Sequence, residues 1–332
     1  MRGNSIMRRY RFGAFVAAIA CAALALSFGF AQAQSWPQKP VRIVVPFPPG
    51  GNTDGIARIV AQRFSEVFGQ QFVVENRPGA AGAIAAESVA RAPADGYTLL
   101  MTTLGVTAVV PAATKAPFNP LKDFVAVSKV GSNPFVLVVN SSVPVKTLDE
   151  FVAYVRSQPN KINFAAAGTG DLIYLSMVLF QKRAGLEMVP VMYKGGAPAL
   201  ADVVAGHVPV YFSNLSDVLP HAAGGALRAL AVSDRKRLPQ FPDVPTFIEA
   251  GFPGFTIMTW NGLVAPAGTP KEIVDRLAAE TARAVKDPKI VERLANFGIE
   301  PLGTTSEEFA AGIAADVAFW AEAARIADAH EK

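Results

Sequence analysis

The chain has 332 residues, 51% of them hydrophobic and 17% charged, with 31 Lys and Arg against 27 Asp and Glu and a single cysteine. That composition excludes a disordered chain, which is poorer in apolar residues, and a disulfide-built scaffold, which needs many more cysteines. The net charge of +4 invites a nucleic-acid reading only until the charges are located. Arg2, Arg8, Arg9 and Arg11 open the chain, and an uncharged run follows from Phe12 to Trp36. This basic start, the apolar stretch and Ala31-Gln32-Ala33 before Gln34 form the three parts of a secretory signal peptide over residues 1–33. Beyond it the remaining 27 basic and 27 acidic groups cancel, and Cys21 has gone with the leader. The exported chain therefore has no electrostatic footprint for nucleic acid and no thiol to protect in an oxidising compartment, expected here to be the periplasm. Ala18 stands where a lipoprotein site has Leu, which argues against acylation at Cys21, and no cofactor motif follows Arg8-Arg9 to call for export in a folded state. No later stretch has the ~18 uninterrupted apolar residues of a membrane span.

Roughly 300 residues exceed what one hydrophobic core usually serves, so two domains are expected. Val41 to Pro46 reads as a strand ended by the loop Pro46-Phe47-Pro48-Pro49-Gly50-Gly51. Ile56, Ile59, Val60, Phe64, Val67 and Phe68 then share one helical face, with Asn52 or Thr53 as N-cap and Gly69 as the stop. Strands are expected at Gln71 to Glu75 and Tyr97 to Thr102, with an Ala-rich helix from Ala80 to Ala90 between them and a small-residue turn after the second. Further on come helices over Leu148 to Arg156 and Asp171 to Ala184, and strands at Ile162 to Ala166, Glu187 to Val191, Val208 to Phe212 and Leu227 to Val232. Thr147-Leu148-Asp149-Glu150 and Thr305-Ser306-Glu307-Glu308 have the form of capping boxes. The alternation predicts an α/β fold with mainly parallel strands. Two long extended stretches, Val125 to Asn140 and Gly254 to Val264, have no helix pattern beside them and suit crossings between domains. On that reading residues 34–139 and 254–332 form one domain, and 140–253 an inserted second one.

Reactive groups are scarce. The exported chain has no cysteine nucleophile and no G-x-S-x-G elbow, and His207, His221 and His330 form no metal-spaced pair. Nucleotide-binding glycine motifs are missing too. An enzyme, a metal site and a bound cofactor are therefore not expected. Five small-residue loops stand out instead, each at the point where a strand gives way to a helix. They are Pro46 to Asp54, Asn76 to Gly82, Thr102 to Gly105, Ala165 to Asp171 and Tyr193 to Gly196. Glycines let a ligand approach the backbone, free N–H groups at a helix start favour an anion, and ligands of open α/β sheets bind beyond the C-terminal strand ends.

These segments closely resemble the Bug, or TctC-like, family of periplasmic solute-binding proteins of tripartite tricarboxylate transporters. The resemblance rests on Trp36-Pro37-Gln38-Lys39-Pro40-Val41-Arg42, Pro46 to Asp54, Glu75 to Gly82, Ala94 to Leu100, Tyr193 to Leu200, Pro242 to Thr246, Glu249-Ala250-Gly251 and Ala265 to Pro270. It implies a two-domain Venus-flytrap fold with two crossover strands as hinge. The protein would be a monomer without catalysis, capturing a small organic carboxylate for the permease subunits of a transporter. A periplasmic sensor feeding a signalling partner is the alternative. By motif, the first-domain ligand contacts would be Phe47, Gly50, Gly51, Asn52, Thr53, Asp54 and Thr103, with Asp54 better suited to fixing the loop than to touching an anion. The second-domain contacts would be Ala167, Gly168, Thr169, Asp171 and Tyr193. Here the chain departs from the family: Ala166 and Ala167 replace hydroxyls, Tyr174 stands where His is common, and Asp171 where Ser or Thr is common. That side is less welcoming to a second carboxylate, so the ligand is expected to present a neutral, aromatic or amine-bearing end to Asp171 and Tyr174, unless Asp171 only caps its helix.

Overall fold

Four of the five residues in the β-branched run Val41–Val45, strand β1, are buried, with Arg42 alone facing outward. The computed structural model describes residues 36–166 and 172–330, without the side chains of 323–330. The leader at 1–33 and Ala167, Gly168, Thr169 and Asp171 of the fourth loop lie outside the described residues. β1 runs parallel to β2 (Phe72–Asn76) on one side and to β3 (Thr98–Thr103) on the other. Parallel neighbours require a crossover, and α1 (Asn52–Phe68) and α2 (Ala83–Ala90) provide it. α1 buries the stripe Ile56, Ile59, Val60 and Phe64. It ends where Gly69 turns left-handed at φ 69° and donates its N–H to the Ser65 carbonyl.

Three local departures from the sequence expectation lie in this half. Gly51, rather than Asn52 or Thr53, is the N-cap of α1, because the Asn52 side chain is engaged elsewhere. The Ala-rich run opens with a 3-10 turn, Ala80–Gly82, whose three residues all have positive φ, and α2 begins only at Ala83. A Cβ on Gly82 would lie 2.6 Å from Val106 and 3.0 Å from Pro46. Close packing on the first loop thus overrides alanine's helix propensity here. The small-residue turn after β3 is in fact a π turn, Gly105–Val109, leading into the short helix α3 (Val110–Ala113).

β4 (Phe124–Asn140) holds two groups of strands together. Its residues 124–134 pair antiparallel with β9 (Met258–Pro266). Its last residues, 135–140, pair instead with β7 (Val210–Asn214) and β8 (Leu227–Val232). β9 also pairs with β3, so the order runs β2-β1-β3-β9-β4-β7, continuing through β5 (Asn163–Ala166) to β6 (Val189–Met192). Both extended stretches read from the sequence are thus β4 and β9, lying side by side. β5 is parallel to β6 and β7, and α4 (Leu148–Arg156), α5 (Leu172–Ala184), α6 (Gly196–Val204) and α7 (Leu215–Ala223) belong to the same half. α6 and α7 escaped the sequence reading because Gly195-Gly196 and Pro198 open the first and Pro220 lies inside the second. Phe180 anchors this half against Phe247, Phe252 and Phe255, with ring centroids 5.2, 5.3 and 5.8 Å away.

α8 (Lys271–Ala284), α9 (Pro288–Asn296), the short β10 (Glu300–Pro301) and α10 (Ser306–His330) complete the chain, with α8 and α10 packed on β4. α10 starts in a reciprocal capping box. Thr305 Oγ1 accepts the Glu308 N–H at 3.1 Å, and Glu308 accepts the Thr305 N–H at 2.9 Å. At α4 the box is skewed by one residue, since Thr147 accepts the Glu150 N–H while Glu150 reaches the Lys146 N–H. α1 and α8 are joined by Arg63, whose Nε donates to the buried Glu280 carboxylate at 2.7 Å. Arg283 also touches Glu280, at 3.2 Å. Arg63→Ala is therefore expected to cost about 1–2 kcal/mol in urea unfolding, below the ~3–5 kcal/mol of a wholly orphaned buried charge.

Candidate functional site

A cavity of about 70 Å³ lies where the C-terminal ends of β1, β3 and β7 meet the starts of α1, α5 and α6. That is several times the ~10–15 Å³ one water needs, so it suits a small molecule. Phe47, Gly51, Asn52, Thr53 and Thr103, all anticipated from sequence, line it. α1 points its N-terminal turn at this space, and such a turn presents unpaired N–H groups and the positive end of the helix dipole. Thr53 and Thr103, each 7% exposed, add hydroxyls to the same wall.

Asp54 and Gly50 do not line the cavity; they shape it. The Asp54 carboxylate accepts the Gly50 N–H at 3.0 Å, Asn76 Nδ2 at 2.9 Å, and Arg58 Nε and Nη2 at 2.9 and 3.0 Å. Burial alone would raise its pKa, but the hydrogen bonds from Arg58, the Gly50 N–H and Asn76, together with the Arg58 charge, hold the carboxyl below its usual range. Asn76 also donates to the Phe47 carbonyl at 3.0 Å. The loop from Phe47 to Thr53 is thereby tied at both ends to β2 and α1. Tyr193 is elsewhere too: its hydroxyl donates to Asp202 at 2.6 Å. Burial and that carboxylate push the phenol up to about 12.

The other wall contains residues the sequence reading did not select. Asn214 and Asp217 line the cavity there, beside the apolar Phe135, Leu172 and Ile173 and the Gly196-Ala197 start of α6, while Thr259 and Asn261 of β9, likewise not selected, lie next to Thr103, whose register partner is Asn261. Asn214 ends β7 and Asp217 lies in the first turn of the helix after it, so attention to every strand end rather than to glycine would have found them. Their side chains form one network with the first loop. Asn52 Nδ2 donates to Ser216 Oγ at 2.8 Å and to the Phe297 carbonyl at 3.2 Å, which turns Asn52 Oδ1 toward Asn261 Nδ2 at 3.3 Å. Asn133 Nδ2 donates to Asn214 Oδ1 at 2.7 Å, leaving Asn214 Nδ2 for Asp217 at 3.3 Å. Ser216 lies 3.4 Å from the other Asp217 oxygen. Burial drives the Asp217 carboxyl up to about 6, against the opposing pull of Asn214, Ser216 and the Asn52 backbone N–H. Trp260 is structural: its Nε1 donates to Asp316 at 2.8 Å, and its ring meets Phe309 edge-on at 5.0 Å.

Among the described residues no three His, Cys, Asp or Glu side chains gather as a metal site, and no helix is long and apolar enough to cross a membrane. The fold is that of periplasmic binding proteins. The periplasmic binding protein BugD is 34% identical, with a TM-score of 0.84 over 88% of this chain and 99% of that one. Rpa4515 of R. palustris, solved with adipate, is 37% identical with a TM-score of 0.85, covering 88% of this chain and 98% of that one. MatC from Rhodopseudomonas palustris, with bound malate, is 34% identical with a TM-score of 0.82, covering 87% and 100%. The tripartite tricarboxylate transporter family receptor, TctC, matches residues 56–326. With that span and these neighbours, the chain belongs to the TctC family of solute-binding receptors, which are binding proteins and not enzymes.

Proposed function

We propose that this receptor is exported to the periplasm by the leader at 1–33, captures one small organic carboxylate as a monomer, and delivers it to the permease subunits of a tripartite transporter. The observation that carries this reading is the cavity at the N-terminal turn of α1, closed from the opposite side by α6 and α7. A carboxylate there receives backbone N–H groups from Gly51 and Thr53 and hydroxyls from Thr53 and Thr103, with Phe47 against its carbon skeleton and the Asn52 side chain tying the turn to Ser216. Gly50 and Asp54 hold the loop in shape. By the family motif Ala167, Gly168, Thr169 and Asp171 are further ligand contacts of this reading, and Tyr193 supports the neighbouring turn through Asp202. Residues 34–139 with 254–332 act as one domain and 140–253 as the other, hinged at β4 and β9. The relatives solved with adipate and malate support a carboxylate as cargo. Thermal-shift screening of the exported form against mono-, di- and tricarboxylates, followed by calorimetry, tests the reading; a panel without one stabilising acid overturns it.

Closure depends on close contact between the two loops. A Cβ at Gly195 would stand 2.6 Å from Pro48 Cδ, a rigid ring atom. Gly195→Ala is therefore expected to hold the loops apart and to weaken calorimetric affinity about tenfold, or ~1.4 kcal/mol, at the low end of overpacking costs.

A further inference from the structure

Asp217 is the one charged side chain among the described residues that line the cavity. Its two oxygens accept from neutral donors, Asn214 Nδ2, Ser216 Oγ and the Asn52 backbone N–H, and among the described residues no cation pairs with it. With its pKa raised to about 6, it is mainly ionised at neutral pH. A second acceptor shares the space. Asn261 is 1% exposed and its Oδ1 accepts no hydrogen bond, while the Phe297 carbonyl fixes Asn52 and so fixes which end of the Asn261 amide faces Asn52. A buried acceptor without a donor is costly, and a buried carboxylate without a counter-ion is more so. Both residues line the same small cavity, and the carboxylate lies beside the Asn52 N–H at the start of α1.

We propose that Asp217 is the specificity-determining residue of this site, receiving with Asn261 Oδ1 a protonated amine that the ligand carries next to its carboxylate; the cargo is then an α-amino acid rather than a plain di- or tricarboxylate. This inference rests on the carboxylate reading above. The carboxylate takes the donors of α1 and the threonines, and the ammonium offers its three donors to the two acceptors. An acid without nitrogen would instead bring a second negative charge, or an apolar chain, against Asp217.

The test is calorimetric titration at pH 7 of the wild-type protein and Asp217→Asn with the twenty amino acids and with desamino partners such as glutarate for glutamate, succinate for aspartate and 3-phenylpropionate for phenylalanine. At least one amino acid is expected to bind the wild type ten or more times tighter than its desamino partner, and Asp217→Asn is expected to erase that ratio. A wild type that binds desamino acids as well as or better than amino acids overturns the inference and leaves the carboxylate reading standing. A preference for the amine that survives in Asp217→Asn also overturns it. Silence across the whole panel overturns this inference, and the carboxylate reading with it only if the tricarboxylates are silent too. Asp217→Ser, smaller and equally neutral, replaces the Asn variant should that one fail to fold.

Discussion

Asp54→Ala is expected to cost about 3 kcal/mol of folding stability and to lower ligand affinity about 100-fold, although Asp54 does not line the cavity. Its side chain is 4% exposed and accepts four hydrogen bonds, from Gly50, Asn76 and twice from Arg58. Arg58 is 54% exposed, so water replaces its partner readily. The Gly50 N–H and Asn76 are less accessible, and their loss frees the loop that carries Phe47, Gly51 and the start of α1. A displacement of about 1 Å in positioned binding groups is enough for a ~100-fold loss. The pH dependence follows from the direction of the pKa change. Asp54 is held below its ordinary value of 3.8 in the folded protein, so the native state favours the ionised form. Its contribution is complete above about pH 4 and is lost as pH falls further. Urea unfolding of wild type and variant should thus differ most at pH 5–7 and converge toward pH 3. Unchanged affinity in Asp54→Ala would show that the loop does not need this anchor.

Much of this architecture was legible because strong local patterns agree with the packing. The helical stripe of α1, Gly69 as its stop, the Thr305 box and the two extended strands are local in sequence, and tertiary contacts reinforce them. What was not legible depends on partners distant in the chain. Asn52 looks like an N-cap in sequence, yet its amide bonds Ser216 and Phe297, some 164 and 245 positions away. Asn214 repeats this pattern: it is the N-cap of α7 without a side-chain cap bond, because its amide serves Asn133 and Asp217. On the first wall, glycine and helix starts pointed to the loops, and the family resemblance named Phe47, Gly51, Asn52, Thr53 and Thr103 within them. It passed over Asn214 and Asp217 on the facing wall and Thr259 and Asn261 beside Thr103 on β9, whose polarity comes with no glycine loop of their own. Asp217 in particular reads as an ordinary first-turn acid of α7. Only the fold draws it partly out of water and places it in the lining of the site.

That displacement from water leads to the second large effect. Asp217→Asn is expected to stabilise the ligand-free protein at pH 7, the reverse of the usual outcome of a polar substitution in a binding site. A carboxyl raised from 3.8 to about 6 implies a penalty of about 3 kcal/mol for keeping it ionised, at ~1.4 kcal/mol per pKa unit. The side chain retains contact with the cavity, so screening reduces the expected gain to about 1–2 kcal/mol. The sign is opposite to that at Asp54. Because the folded value lies above the unfolded one, the native state binds the extra proton between about pH 4 and pH 6. Stability from this group is greatest below that window and is lost as pH rises through it. Wild type and Asp217→Asn should therefore unfold alike near pH 4, diverge through pH 5 and 6, and differ fully at pH 7. A constant difference across that range, or a variant less stable at pH 7, would refute the assignment. Asn keeps the shape and one acceptor for Asn214, so the change isolates charge. A residue that weakens the empty protein while it sharpens the choice of ligand is the exchange of stability for activity expected at binding sites. The same substitution then raises the unfolding midpoint and removes discrimination for the amine, two readouts moving in opposite directions for one electrostatic cause.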